Sequence, residues 1–184
     1  TVICYNKTAA LSLVGSGGNG NYTYTWNNGL GVGVNKTITL NTSTWVKVSL
    51  SDACTIQPAV DSVYIKVNAS LKVKLNTDST ICKGSSINLK AISTGGVSKS
   101  YSYQWTQGLA ATNSNTVTPL TKTKYIVTLN DNCSDLAKDS ITVDVLQALD
   151  IKGSKDSTIC RGQSVPLSTI ASGGRVSTYT YLWN

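Results

Sequence analysis

Asp78-Ser79-Thr80-Ile81-Cys82-Lys83-Gly84 recurs as Asp156-Ser157-Thr158-Ile159-Cys160-Arg161-Gly162, and the central Ile-Cys pair stands a third time at Ile3-Cys4, so that Cys4, Cys82 and Cys160 are evenly spaced. Self-similarity at a fixed period, here about 78 residues, marks a repeat protein, and these strings are taken as the openings of three copies of one module. Farther along each copy, Gly95-Gly96-Val97-Ser98 is answered by Gly173-Gly174-Arg175-Val176-Ser177. A motif follows in every copy: Tyr22-x-Tyr24-x-Trp26, Tyr101-x-Tyr103-x-Trp105 and Tyr179-x-Tyr181-x-Trp183. A second cysteine follows the first two tryptophans at one and the same distance, Cys54 after Trp26 and Cys133 after Trp105. The copies are expected to span 1–69, 70–147 and 148–184, the last holding only the first strands of its module. The whole reads as a stretch of a longer array.

Each copy reads as all-β. Ser86-Ile87-Asn88-Leu89-Lys90-Ala91, Lys124-Tyr125-Ile126-Val127-Thr128-Leu129 and Ser140-Ile141-Thr142-Val143-Asp144-Val145 alternate with period two, punctuated by Gly, Asn and Ser. About seven short strands per copy with no helical periodicity predict a small antiparallel β-sandwich. The junctions fall near Asn68–Ser70 and Leu146–Ala148, where one copy runs almost directly into the next, which limits bending.

Composition removes whole classes of function. The 184 residues include no His, Met, Phe or Glu, and all nine acids are Asp. General acid-base catalysis uses His or paired carboxylates, and nucleophilic catalysis needs a base beside the nucleophile; neither pattern occurs, so no enzyme and no catalytic residue is expected. The net charge of +7 comes from lysines alternating with apolar residues, as in Leu71-Lys72-Val73-Lys74-Leu75. That is the pattern of a solvated strand face, and lysines there also discourage edge-to-edge pairing. Nucleic-acid binding would cluster Arg and Lys with stacking aromatics, so no nucleic-acid partner is expected. No apolar run approaches the roughly 20 residues of a membrane-spanning helix, so no span is expected in this segment.

Five cysteines become orderly once the repeat is drawn. The expected disulfides are Cys4 with Cys54 and Cys82 with Cys133, each within one copy, with the partner of Cys160 beyond Asn184. A bridge closing about 50 residues stabilises a domain by about 4 kcal/mol on the loop-entropy model. Such bridges imply an oxidising, extracytoplasmic compartment. A zinc site is the competing reading, but there is no CxxC pair and no His, so no metal and no cofactor is expected. Calcium at the junctions is disfavoured because the acids come singly; Asp61, Asp78, Asp139 and Asp156 fit turn caps at strand starts instead.

Tyr, Tyr and Trp two apart share one strand face, either a sugar-stacking platform or the inner face of the sandwich. Recurrence midway between the cysteines favours the core, so Trp26, Trp105 and Trp183 are expected inside. Trp45 aligns with Lys124 and falls on the outer face, where it is a contact candidate for a neighbouring chain or a glycan.

With the Asp-Ser-Thr-Ile-Cys-x-Gly opening, the Gly-Gly turn, Tyr-x-Tyr-x-Trp and Tyr125-Ile126-Val127-Thr128-Leu129-Asn130-Asp131-x-Cys133, the module resembles the PKD-like, immunoglobulin-like repeats of giant Bacteroidota surface proteins, including gliding-motility adhesins exported by the type IX system. The resemblance covers the whole chain. It implies tandem immunoglobulin-like sandwiches at the cell surface, in the extracellular space. It also implies O-glycosylation at Asp-Ser-x, which here marks Ser62, Ser79, Ser140 and Ser157, all expected at strand starts.

Two functions fit these features. One is a structural or adhesive shaft whose partners are neighbouring repeats of the same chain, further copies in a multi-chain, hook-like filament, or surface glycans. The alternative is a spacer or polysaccharide-binding module of a secreted enzyme.

Overall fold

The computed structural model describes residues 1–54, 56–97, 100–174 and 179–184. Ser98 and Arg175-Val176-Ser177 of the repeat signature therefore lie outside the described residues. The described secondary structure is all strand. In the first copy these are β1 (Val2–Ile3), β2 (Lys7–Leu11), β3 (Thr23–Trp26), β4 (Gly31–Val32), β5 (Lys36–Leu40), β6 (Thr44–Ser51) and β7 (Ala59–Val67). The second holds β8 (Lys72–Leu75), β9 (Ser79–Cys82), β10 (Ile87–Thr94), β11 (Ser102–Trp105), β12 (Ser114–Val117), β13 (Thr123–Asn130) and β14 (Ala137–Leu146); β15 (Asp150–Gly153) and β16 (Thr169–Ser172) follow.

β1-β7-β6-β3-β4 form one sheet of the first copy and β2-β5 the other; the second copy has β12-β10-β8 and β11-β13-β14-β9. The sheets are antiparallel as expected, with one parallel pairing in each of the first two copies. β1 runs parallel to β7, with Val2 opposite Lys66, and β9 runs parallel to β14, with Val143 opposite Ser79. No hairpin joins either pair: β2–β6 lie between β1 and β7 in the chain and β10–β13 between β9 and β14, and such a connection permits a return in the same direction.

The structure divides into two compact units, Thr1–Lys74 with Ile92–Gln104 and Val127–Asp139, and Leu75–Ala91 with Trp105–Ile126 and Ser140–Asn184. The first unit thus joins the whole first copy to the part of the second that carries Gly95, Gly96 and Cys133. Its core follows from period-two alternation: Ala9 and Leu11 on β2, Tyr24 and Trp26 on β3, Val46 and Val48 on β6 and Ile65 on β7 are buried together. The second unit buries Leu75, Leu89, Ala91, Trp105, Val117, Tyr125, Ile141, Val143 and Val145.

The inward tryptophans are 6% exposed at Trp26 and at Trp105, and each buried indole N–H donates to a carbonyl, Gly33 at 2.7 Å and Thr112 at 2.8 Å. Leaving either donor unmade inside a core would cost about 1–3 kcal/mol. Trp183 departs from the expected core position and stands 57% exposed. Beyond Leu146 the only described strands are the antiparallel pair β15–β16, so no facing sheet covers the ring.

Candidate functional site

The cysteines are paired differently from the expectation. Cys4 is bonded to Cys133, 129 residues away, while Cys54, Cys82 and Cys160 are exposed thiols. Both predicted pairs, Cys4 with Cys54 and Cys82 with Cys133, are therefore corrected. The physical reason is polarity. Cys4 follows β1, which runs parallel to β7 and so ends where β7 ends, beside the segment Asn68–Leu71 that leads into the second copy; Asn68 N–H donates to Ile3 O at 2.9 Å. Cys54 follows β6, which is antiparallel to β7, and so lies at the opposite end of the sandwich. A Cα–Cα separation above about 7 Å forbids a disulfide, and the two ends of a strand as long as β7 are several times farther apart.

Cys133 reaches Cys4 because its own end of the second copy carries the junction. The Gly95–Gly96 turn packs on that segment: Gly96 N–H donates to Ala69 O at 2.7 Å, and a Cβ on Gly95 would stand 2.0 Å from Ser70 O. Both glycines have positive φ, 75° and 55°, so both the conformation and the close approach demand glycine. Gly173 and Gly174 repeat this against Gln147 and Ala148.

Two side chains fix the turn and the cysteine. Tyr101 Oη donates to Gly95 O at 2.5 Å, as Tyr22 does to Gly17 and Tyr179 to Gly173. Asp131, 1% exposed, accepts from Val97 N at 2.8 Å, Cys133 N at 3.1 Å, Ser134 N at 2.7 Å and Ser134 Oγ at 2.9 Å. Burial pushes this carboxyl up, but the bonds from Ser134, Val97 and Cys133 outweigh it and hold it below the ordinary carboxylate range. Asp52 does the same work in the first copy, accepting from Asn19 N at 2.8 Å and Cys54 N at 3.1 Å. Sequence alone places Tyr22 and Tyr101 with the core and gives Asp52 and Asp131 no role. The signal that could have found them is the recurring Asp-x-Cys, two residues apart, where an Asx turn is the expected local bond.

On the partner side, Cys4 sits in a turn shared by all three copies. Lys7 N–H donates to Cys4 O, Ser85 N–H to Cys82 O and Gln163 N–H to Cys160 O, at 3.2, 3.0 and 3.1 Å, around the positive-φ residues Asn6, Gly84 and Gly162. The Lys7–Asp135 ion pair, at 2.7 Å, adds to the Cys4–Cys133 junction, but both groups are well exposed and it is worth little.

Trp45 is 54% exposed and packs on Tyr64, its cross-strand partner, with ring centroids 5.2 Å apart. The Asp-Ser-x serines are placed differently from one another. Ser62 and Ser140 lie inside β7 and β14 rather than at their starts, which are set two residues before Asp61 and Asp139; Ser79 opens β9, and Ser157 lies in no strand. Asp78 reaches beyond a local cap, accepting from Thr142 N on β14 at 2.8 Å. Among the described residues no three His, Cys, Asp or Glu side chains are grouped to hold a metal, and no helix is long and apolar enough to cross a membrane.

No family model matches the chain, and no curated protein matches it. Solved structures do. An I-band fragment of titin superposes with a TM-score of 0.53 at 9% identity, over 96% of this chain and 86% of that one. An E-to-A variant of the same titin region gives 0.52 at 10% identity, with 96% and 86% covered. Sidekick-1 immunoglobulin domains 1–5 align at 11% identity and a TM-score of 0.40, over 93% of this chain, which spans 45% of that structure. At such identities the titin likeness is one of fold: the chain is built as tandem immunoglobulin-like β-sandwiches.

Proposed function

We propose that the chain is a load-bearing segment of an extracellular surface protein, a structural or adhesive shaft made of disulfide-joined sandwiches with boundaries near 69/70 and 147/148. The carrying observation is the Cys4–Cys133 bridge, which ties the start of one copy to the Gly95–Gly96 end of the next. A bond whose two ends lie 129 residues apart closes a junction rather than a core, and junction strength is what a tandem array needs in order to transmit force. The disulfide also suits an oxidising exterior. No catalytic role is proposed. The resemblance to Bacteroidota surface repeats supports a cell-attached, type IX-exported protein, and exposed Trp45 with Tyr64 supplies an apolar contact for a second chain or a glycan.

The test is to label intact cells and spent medium with gold-tagged antibody to residues 70–147 and image both by electron microscopy. Labelled fibres on the cell are the expected result. Label confined to soluble protein in the medium would overturn the shaft and leave the spacer of a secreted enzyme in its place.

A further inference from the structure

We infer that Cys82 and Cys54 are the two halves of the same staple as Cys4 and Cys133, each made to bond a cysteine of an adjoining repeat of this type, so that every junction of the array is covalently closed. The inference rests on the equivalence of the copies and not on the adhesive reading. Cys82 is Cys4 advanced by one repeat, and Cys54 is Cys133 set back by one, with the Asp-x-Cys spacing kept at Asp52 and Asp131. Local geometry repeats with the sequence. The Cys82 carbonyl accepts from Ser85 N–H as Cys4 accepts from Lys7, and Cys54 N–H donates to Asp52 as Cys133 donates to Asp131.

A second observation comes from the Gly17–Gly18 end of the first copy. In the second copy the Gly95 position is filled by Ser70 O, whereas in the first copy nothing lies within 4 Å of a Cβ on Gly17; Gly96 and Gly18 each meet the aspartate of their own copy, Asp131 and Asp52, and Gly96 alone also meets Leu71. Beside it is a hollow of about 280 Å³ lined by Gly17, Gly18, Tyr22, Leu50, Asp52 and Cys54 among others. The occupant that fits is the junction segment of a preceding repeat, the equivalent of Asn68–Leu71, because that segment fills the same place one copy on. It would bring with it the Cys4 equivalent that bonds Cys54.

The chemistry is ordinary thiol–disulfide exchange with oxidised glutathione or a comparable small disulfide as oxidant. One cysteine thiolate attacks the oxidant, releasing a glutathione thiolate; the partner thiolate then attacks the mixed disulfide at the protein sulfur and releases the second. Two electrons pass to the oxidant, and the two protons leave with the two glutathione thiols.

The test lengthens the chain by inserting a second copy of residues 70–147 before residue 148, refolds it with oxidised and reduced glutathione, blocks thiols and maps linked peptides without reduction. The insertion raises the five cysteines to seven. Two bridges are expected, Cys4–Cys133 and Cys82 to the inserted copy of Cys133, leaving three thiols. Pairing within each copy would give three bridges and one thiol. A chain that keeps Cys4–Cys133 but leaves Cys82 reduced has five thiols. Either of these last two results overturns the inference, and a digest without the Cys4–Cys133 link does so as well, since the staple itself would then be absent.

Discussion

Replacing Cys133 with serine tests the junction directly. The bridge closes a loop of 129 residues, and on the chain-entropy model its removal enlarges the unfolded ensemble by about 5 kcal/mol, against about 4 for a loop of about 50. Cys133→Ser and Cys4→Ser should therefore lose the same amount, each about 5 kcal/mol, in urea unfolding followed by tryptophan emission. Cys54→Ser and Cys82→Ser touch exposed thiols and should change stability by less than about 0.5 kcal/mol. Thiol titration of the oxidised chain in denaturant should find three free groups, five cysteines less the two bonded ones, where pairing within copies would leave one. Cys54→Ser as costly as Cys4→Ser, together with a count of one, would refute the reasoning and restore the bridge to the single sandwich.

Three further outcomes follow from the same contacts. Because the Asp131 carboxyl is held below its unfolded value, its contribution is complete above about pH 4 and is lost as pH falls through the folded value; acid titration of stability should show a loss there that Asp131→Asn abolishes. Gly95→Ala should destabilise by at least twice as much as Gly17→Ala, since both need positive φ, at about 1–2 kcal/mol, but only Gly95 also meets backbone. Equal losses in thermal melts would contradict the packing described. A double-mutant cycle on Trp45→Ala and Tyr64→Ala should return a coupling of about 1 kcal/mol; zero coupling would mean the rings do not stack in solution.

Whatever depends on local period is legible in the sequence. Alternation of polar and apolar residues predicts β3, β10, β13 and β14 and the inward Trp26 and Trp105, because a strand buried on one face must repeat every two residues. The cysteine pairing is not legible in the same way. Copy equivalence places Cys4 and Cys54 in one module but does not say at which end of the sandwich each lies. That depends on β1 running parallel to β7, a long-range choice that a two-residue strand does not advertise. The same missing polarity hides Tyr101 and Asp131, whose partners, the Gly95–Gly96 turn and Cys133, acquire meaning only once that turn is seen against Ala69 and Ser70.

Pulling on the chain ends separates a bridge that closes a junction from one that merely braces a domain. In the oxidised chain the 129 residues between Cys4 and Cys133 are bypassed by the sulfur–sulfur bond and cannot lengthen, so reduction should add ~450 Å to the final contour length in single-molecule extension at ~3.5 Å per residue. Bridges within each copy would also hide length, but in two separate steps of about 50 residues each, about 350 Å together. In a longer array the staples overlap, because Cys82 opens its own before Cys133 closes the previous one. The shortest covalent path then runs from Cys4 to Cys133, along the short stretch of chain to Cys160, and across again. Two repeats, about 156 residues that could stretch to ~550 Å when reduced, yield at most ~95 Å when every junction is bonded, because only the stretch between Cys133 and Cys160 can extend. A shaft built this way would resist extension even after its sandwiches had lost their packing. An array whose oxidised and reduced contour lengths agree would show that the junction bonds carry no load.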